Sequence, residues 1–316
     1  PYDTTEAGNM HSMAWRDYEF QLIYHEQPTL LQGMCQRCHI PVAASEAKRR
    51  WGVTAPKANS TKAANSGDGI SCVGCHLDSR GNILGPESEG GDFAKEEEHP
   101  VWGSRAFADG VTLCANCHND SVFGSFTKTA DEFFAQRPPS GCVGCHMPAT
   151  RQGDDDRRSH AFPGGQSAAF REKALRVTLP TTLTAGRELT IDVENVGAGH
   201  NVPTGDTFRA FSLQVSVEDP GGTPVLDHEV FITKRSKTPL YTEVVDYDRI
   251  EPIGYGERRS VGFGTLPAGS YTLHVDLRYY QIKPTVLAWR TKPREEVEAY
   301  GVSTVKSWDV ALDVTP

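Results

Sequence analysis

Gly141-Cys142-Val143-Gly144-Cys145-His146-Met147-Pro148 holds two thiols one helical turn apart, with an imidazole directly after the second. The same Cys-x-x-Cys-His pattern recurs at Cys35/Cys38/His39, Cys72/Cys75/His76 and Cys114/Cys117/His118, and the four copies use all eight cysteines of the chain. The spacing has a chemical reason. Two thiols so placed reach the two vinyl groups of one porphyrin, and the adjacent histidine then lies below the iron. A zinc site or a thioredoxin-like pair does not need histidine after every second cysteine, and neither does a disulfide framework. Four coincidences with no cysteine left over point to four covalently bound haem c groups, with His39, His76, His118 and His146 as proximal ligands.

Each iron has a second axial position, and seven of the eleven histidines remain to fill it. His11 and His25 flank an apolar pattern of Trp15, Tyr18, Leu22 and Ile23, which reads as one helix. Fourteen helical residues would hold them roughly 21 Å apart, so they could serve two irons but not one. His99 precedes Pro100, and so lies in an extended loop. His160 follows the fourth motif in Ser159-His160-Ala161-Phe162-Pro163-Gly164-Gly165. His200 sits in Gly197-Ala198-Gly199-His200-Asn201-Val202-Pro203-Thr204-Gly205, a shaped loop suited to close packing against a flat group. Four of these five are expected as distal ligands. His228 and His274 read instead as polar-face strand residues. Met34 and Met147 stand too near their own motifs to reach the opposite haem face, and Met10 and Met13 neighbour a better ligand in His11.

Every motif lies in residues 1–170, so porphyrins must supply much of the core there. Short helices joined by loops, such as 59–69 and 82–92, are expected. Thr129-x-x-Glu132 reads as a capping box opening a helix that stops before Pro138-Pro139. Asp68-Gly69-Ile70-Ser71 before Cys72 echoes Asp109-Gly110-Val111-Thr112 before Cys114, a weak internal repeat. Beyond Arg171 the period changes to two: Leu189/Ile191/Val193, Leu213/Val215/Val217, Leu273/Val275/Leu277 and Val310/Leu312/Val314 alternate with polar residues. Pro220-Gly221-Gly222, Pro267-Ala268-Gly269 and Thr184-Ala185-Gly186 supply turns between them. The expectation is a two-part α+β chain: a mostly helical and loop tetrahaem cytochrome c domain over 1–170, then an immunoglobulin-like antiparallel β-sandwich over 171–316. The segment 283–300 breaks the rhythm and reads as an excursion.

The totals narrow the function. A net charge of −9 with scattered Lys and Arg argues against nucleic acid as a partner. No run of 18 apolar residues is present, so no membrane span is expected. The opening residues Pro1 to Met10 lack the basic start and apolar stretch of a signal peptide, which fits a mature form whose leader has been removed. Haem attachment places the chain in the periplasm or outside the cell. Asp154-Asp155-Asp156 reads as solvated charge rather than a calcium site.

The haem half resembles the multihaem cytochromes c related to the tetrahaem cytochrome of nitrifying bacteria. The resemblance is carried by the Gly-Ile-Ser-Cys and Gly-Val-Thr lead-ins, Cys145-His146-Met147-Pro148, and His160-x-Phe162-Pro163-Gly164. Gly197-Ala198-Gly199-His200 with Pro203-Thr204-Gly205 is similar to a motif of relatives bearing a C-terminal β-sandwich. The resemblance implies distal ligation by His160 and His200. It also implies either soluble shuttles or extracellular filaments in which one subunit ligates a haem of the next, a role open to His11 or His25.

Three functions are in play. The favoured one is electron transfer between redox partner proteins, or to an extracellular acceptor, through four bis-histidine haems, without catalysis. An oxidoreductase acting on a small nitrogen or sulfur compound would need one five-coordinate iron. A carbohydrate- or partner-binding sandwich would use Tyr279, Tyr280 and Trp289, although these aromatics are expected to pack against the haem half or another subunit.

Overall fold

The computed structural model describes residues 9–27, 29–41, 69–76, 83–85, 101–108, 110–119, 127–152, 155–235, 247–284 and 302–316. His99, Trp289, Asp154 and most of the loops and excursion expected at 59–69, 82–92 and 283–300 lie outside those residues. The chain forms two compact units that are discontinuous in sequence. One comprises Pro1–Cys117 and Ser140–Gly164, the other His118–Pro139 and Gly165–Pro316.

The first unit opens with a break where one helix was expected. Helix α1 (Met10–Met13) is capped by Asn9, whose side chain accepts from His11 N and Ser12 N. Helix α2 (Tyr18–Glu26) starts afresh at Asp17, whose carboxylate accepts from Phe20 N at 2.8 Å. A second N-cap ends the continuity, because a capping aspartate holds non-helical backbone. His11 and His25 therefore belong to separate helices, and the 21 Å spacing does not apply. Helix α3 (Thr29–His39) carries the first motif, and Trp15, Tyr24 and Ile40 bury themselves beside it with Phe20 and Cys35. Gln36 Nε2 donates to the Tyr24 hydroxyl at 2.6 Å, which gives that hydroxyl a partner inside this small core.

The second motif forms α4 (Cys72–His76), followed by strand β1 (Ile83–Gly85), which pairs in parallel with β2 (Val101–Gly103). Helix α5 (Arg105–Ala108) leads to α6 (Thr112–His118), which holds the third motif. The fourth lies on α8 (Cys142–His146), after α7 (Thr129–Gln136). The hairpin β3 (Ala149–Gln152) and β4 (Asp155–Arg158) completes the first unit. The echoing lead-in glycines have unlike causes. A Cβ on Gly69 would stand 2.5 Å from the His11 carbonyl, whereas Gly110 takes φ +62° against Val143.

Helix α7 belongs to the second unit. The expected capping box does not close. Lys128 occupies the cap without a side-chain bond, and Thr129 instead meets Thr204 across 2.9 Å. Glu132 accepts from Thr204 and from Lys234 Nζ at 2.8 Å, and Gln136 bonds Asn201 and the Tyr255 amide. Tertiary partners take both side chains away from the local cap.

The rest of this unit is strand, apart from α9 (Ala168–Ala174). Strands β5 (Leu175–Thr178), β7 (Glu188–Asn195) and β11 (Arg258–Thr265) form an antiparallel sheet in the order β11-β7-β5. A second sheet joins β6 (Thr182–Thr184), β8 (Ala210–Glu218), β9 (Pro224–Thr233), β10 (Arg249–Ile250), β12 (Gly269–Tyr280) and β13 (Val302–Thr315), in the order β10-β9-β8-β12-β13-β6. Its central pairings are antiparallel, while both edge pairings, β10 with β9 and β6 with β13, are parallel. Residues of period two point inward from both sheets: Leu189, Ile191 and Val193 share one core with Leu213, Val215, Leu273, Leu277 and Leu312, all essentially buried. Truncating any of these leucines to alanine is expected to cost about 2–5 kcal/mol, read from denaturant unfolding.

Tyr279 and Tyr280 do not wait for another surface. Tyr279 packs on Phe211 within this core, and Tyr280 clusters with Phe231 and Ala210 while its hydroxyl donates to Glu229 at 2.8 Å. Burial and that carboxylate push the Tyr280 hydroxyl up to about 12. The outer sheet face carries His274, whose ring bonds Asp309 at 2.6 Å, which raises its pKa. The raised value means that the pair stabilises the fold below the ordinary histidine range and loses its contribution as pH climbs through the higher one. His274→Gln should lower the melting temperature at pH 5.5 and have a smaller effect at pH 8.5. For so exposed a pair the difference should be under about 1 kcal/mol, read from thermal unfolding by circular dichroism at the two pH values.

Candidate haem-ligating histidines

An imidazole ligates through one nitrogen, and the bond made by the other decides which. His39 Nδ1 lies 2.7 Å from the Ala14 carbonyl, His76 Nδ1 2.7 Å from that of Leu84, and His146 Nδ1 2.6 Å from that of Pro163. A carbonyl only accepts, so the proton sits on Nδ1 in each and Nε2 carries the lone pair. That is the arrangement in which a metal-binding histidine is oriented by its outer bond. None of the three carbonyls follows from the motifs themselves. Ala14 comes from the turn after α1, Leu84 from strand β1, and Pro163 from the strap after the β3–β4 hairpin.

Packing fixes the rings further. Phe20 stacks on His39 at 3.7 Å with 10° between planes, and Phe107 lies 4.7 Å from His76. Burial holds the His39 pKa below the usual histidine range, against the opposing bond from Ala14, and so favours the neutral ring that a metal requires.

The attachment thiols of three motifs converge. Cys114 is within hydrogen-bonding reach of Cys142, and Cys75 is near enough for its charge to be felt there. Burial pushes the Cys75 thiol up. The first motif lies on α3. Its inner side packs Cys35 against Trp15, Tyr24 and Ile40, while Cys38 stands half-buried in the last turn, directly before His39. Cys117 is likewise half-buried, whereas Cys72 and Cys145 are exposed. No disulfide joins any of the eight cysteines.

The five distal candidates separate by setting. His160 repeats the proximal pattern, its Nδ1 donating to the Arg158 carbonyl at 3.0 Å, and burial lowers its pKa. Its ring centroid is 6.2 Å from that of His76, at 35° between planes. Metal–imidazole bonds of about 2.0–2.1 Å on each side would place two centroids roughly 6 Å apart, so His76 and His160 are spaced as residues that would hold one metal between them. His200 also donates from Nδ1, to the Asn201 carbonyl at 2.9 Å. Its loop is braced by Asn195, whose Nδ2 donates to the carbonyls of His200 and Ile253 while its Oδ1 accepts from Ala198 N. His118 falls in the same unit, and Asn119 beside it bonds Asp131 of α7, the helix that grips the His200 loop through Thr204 and Asn201.

His11 lies on α1 with its ring 4.0 Å from Phe162, which stands 5.7 Å from His160 on the other side. His25, near the end of α2, is exposed and meets Tyr24 edge-on. His228 and His274 face carboxylates instead, Asp248 at 2.9 Å and Asp309 at 2.6 Å, as polar-face strand residues do. Phe162, which the sequence showed only within His160-x-Phe162-Pro163-Gly164, holds φ +48°, a backbone state that costs a bulky residue on the order of 1–3 kcal/mol.

No helix among the described residues is long and apolar enough to cross a membrane. No family model matches the chain, and no curated protein matches it in sequence. Among solved structures, the chain is similar to a penta-heme cytochrome c552 from Thermochromatium tepidum, with 17% identity and a TM-score of 0.69 over 96% of this chain and 94% of that one. A CARDB domain from Pyrococcus furiosus, solved with two metal ions, is matched over 44% of this chain at 15% identity, but a TM-score of 0.19 is too low to bear on the fold. The fold of the whole chain is thus one that a multihaem c-type cytochrome adopts.

Proposed function

We propose that this chain is a tetrahaem electron-transfer cytochrome, acting in the periplasm or outside the cell. The observation that carries the reading is the shared posture of His39, His76 and His146, each with Nδ1 committed to a backbone carbonyl. Metal-ligating histidines take this posture, the outer bond fixing the tautomer and the ring orientation. Cys35/Cys38, Cys72/Cys75, Cys114/Cys117 and Cys142/Cys145 would hold the groups, and each bound haem supplies an iron that passes between ferrous and ferric.

The protein's own residues then do three things. Three of the proximal imidazoles are aimed, each by a backbone carbonyl at Nδ1. Cys114 and Cys142, within hydrogen-bonding reach of each other with Cys75 nearby, would bring attachment points together and give electrons short paths between groups. Cys38 and Cys35 would carry the remaining group on α3. His160 would close the iron at His76, and His200, braced through α7, the iron at His118; His11, His25 and His99 are the remaining ligands to be allotted. An exposed His25 also suits ligation of a haem in a second copy, the arrangement that filament assembly would require. The sheets of the second unit are read as an immunoglobulin-like sandwich whose loop contributes His200. Redox proteins or an extracellular acceptor would be its partners.

The test is an EPR spectrum of the oxidised protein beside a pyridine haemochrome count. Four haems per chain, all low-spin, are expected. A substantial high-spin signal in the wild type would overturn the pure carrier and favour an oxidoreductase at an open iron. In variants, His160→Ala and His200→Ala should each turn about a quarter of the iron high-spin. His228→Ala and His274→Ala should leave the spectrum as it is.

A further inference from the structure

We infer that the strap 158–163 is a mechanical link between two haem sites, with Phe162 as its positioning residue. The inference rests on the haem reading above. It starts from two contacts made three residues apart. His160 meets His76 at the separation of an axial pair, and Pro163 offers its carbonyl to His146 Nδ1 at 2.6 Å. One short segment therefore supplies a distal ligand to the haem of the second motif and the orienting bond to the proximal ligand of the fourth.

Extended chain would carry residues 160 and 163 about 10 Å apart. The left-handed φ of +48° at Phe162 breaks that extension between the two contacts, and it is held by a residue for which that conformation is unfavourable. The ring lies beside those of His11 and His160, with centroids 4.0 and 5.7 Å away. The strap is also pinned from α1, through Met10 N to the Ala161 carbonyl at 3.3 Å. Movement at either end is thus passed to the other, because the segment between has no slack residue.

Backbone conformation is the variable to test, using holoprotein. Asparagine tolerates the left-handed state, and valine does not. Phe162→Asn should keep four low-spin haems and leave every midpoint within about a twofold change in its one-electron equilibrium. Phe162→Val should disturb two haems together: a high-spin signal from the iron at His76, and a rise in the midpoint of the haem at His146 by about tenfold in its equilibrium, or 59 mV. Changes confined to one haem, no change, or equal effects of Asn and Val would overturn the link. Should Val yield no holoprotein, His160→Ala frees one end of the strap. Exchange of the His146 Nδ1 proton, followed by paramagnetic NMR, should then quicken at least tenfold, and an unchanged rate would overturn the proposal. A wild type with fewer than four haems would instead defeat the reading on which it rests, so the two failures are distinct.

Discussion

A neutral imidazole has one proton for two nitrogens, and everything else at these sites depends on where that proton is kept. The chain fixes it with the same device, a backbone carbonyl opposite Nδ1, at His39, His76 and His146, and again at His160 and His200. Carbonyls are good for the purpose because they cannot donate, titrate or rotate away. The demand then spreads outward. Ala14 must be in a turn, so α1 and α2 cannot fuse; Leu84 must lie on a paired strand; Pro163 must follow a reversal. Much irregular local structure in the first unit is intelligible as the means of delivering three oxygen atoms.

The same logic explains why two similar-looking lead-ins are not equivalent. Gly69 is needed because α1 lies against it, with Gly69 N and Ile70 N donating to the Ser12 and His11 carbonyls. Gly110 is needed for its positive φ. Both bring a helix start to a motif, but one answers to a neighbour and the other to its own backbone. Resemblance between short segments here reflects a common task more than a common environment.

What could be read from the sequence was whatever depends on covalent spacing or strict period. The Cys-x-x-Cys-His motifs lie on helices α3, α4, α6 and α8, and the alternation at Leu189/Ile191/Val193 and Leu213/Val215/Val217 places those residues in the buried core. His228 and His274 stand where alternation put them, against carboxylates. Four motifs of one pattern, however, gave no sign that Cys114 and Cys142 would meet with Cys75 nearby. Spacing fixes each pair and says nothing of how pairs assemble. Also hidden were contacts made by groups that every residue has. Backbone carbonyls leave no mark in a sequence, and neither does a left-handed phenylalanine. Thr129 and Glu132 show the converse: their local pattern was genuine, but Thr204 and Lys234 outcompeted it, which only the tertiary arrangement reveals.

Helix α7 has a last consequence, which concerns time. It lies between the third and fourth motifs, yet apart from the Asp131–Asn119 pair its side-chain bonds go to residues 65 to 119 positions later in the chain. A ribosome therefore releases α7, and then the fourth motif, well before the strands that hold the helix exist. Eight residues of helix are too few to stand alone in water. Helix α7 therefore lacks its partners until synthesis is nearly done, leaving neighbouring cysteines open to whatever machinery reads them as the chain emerges.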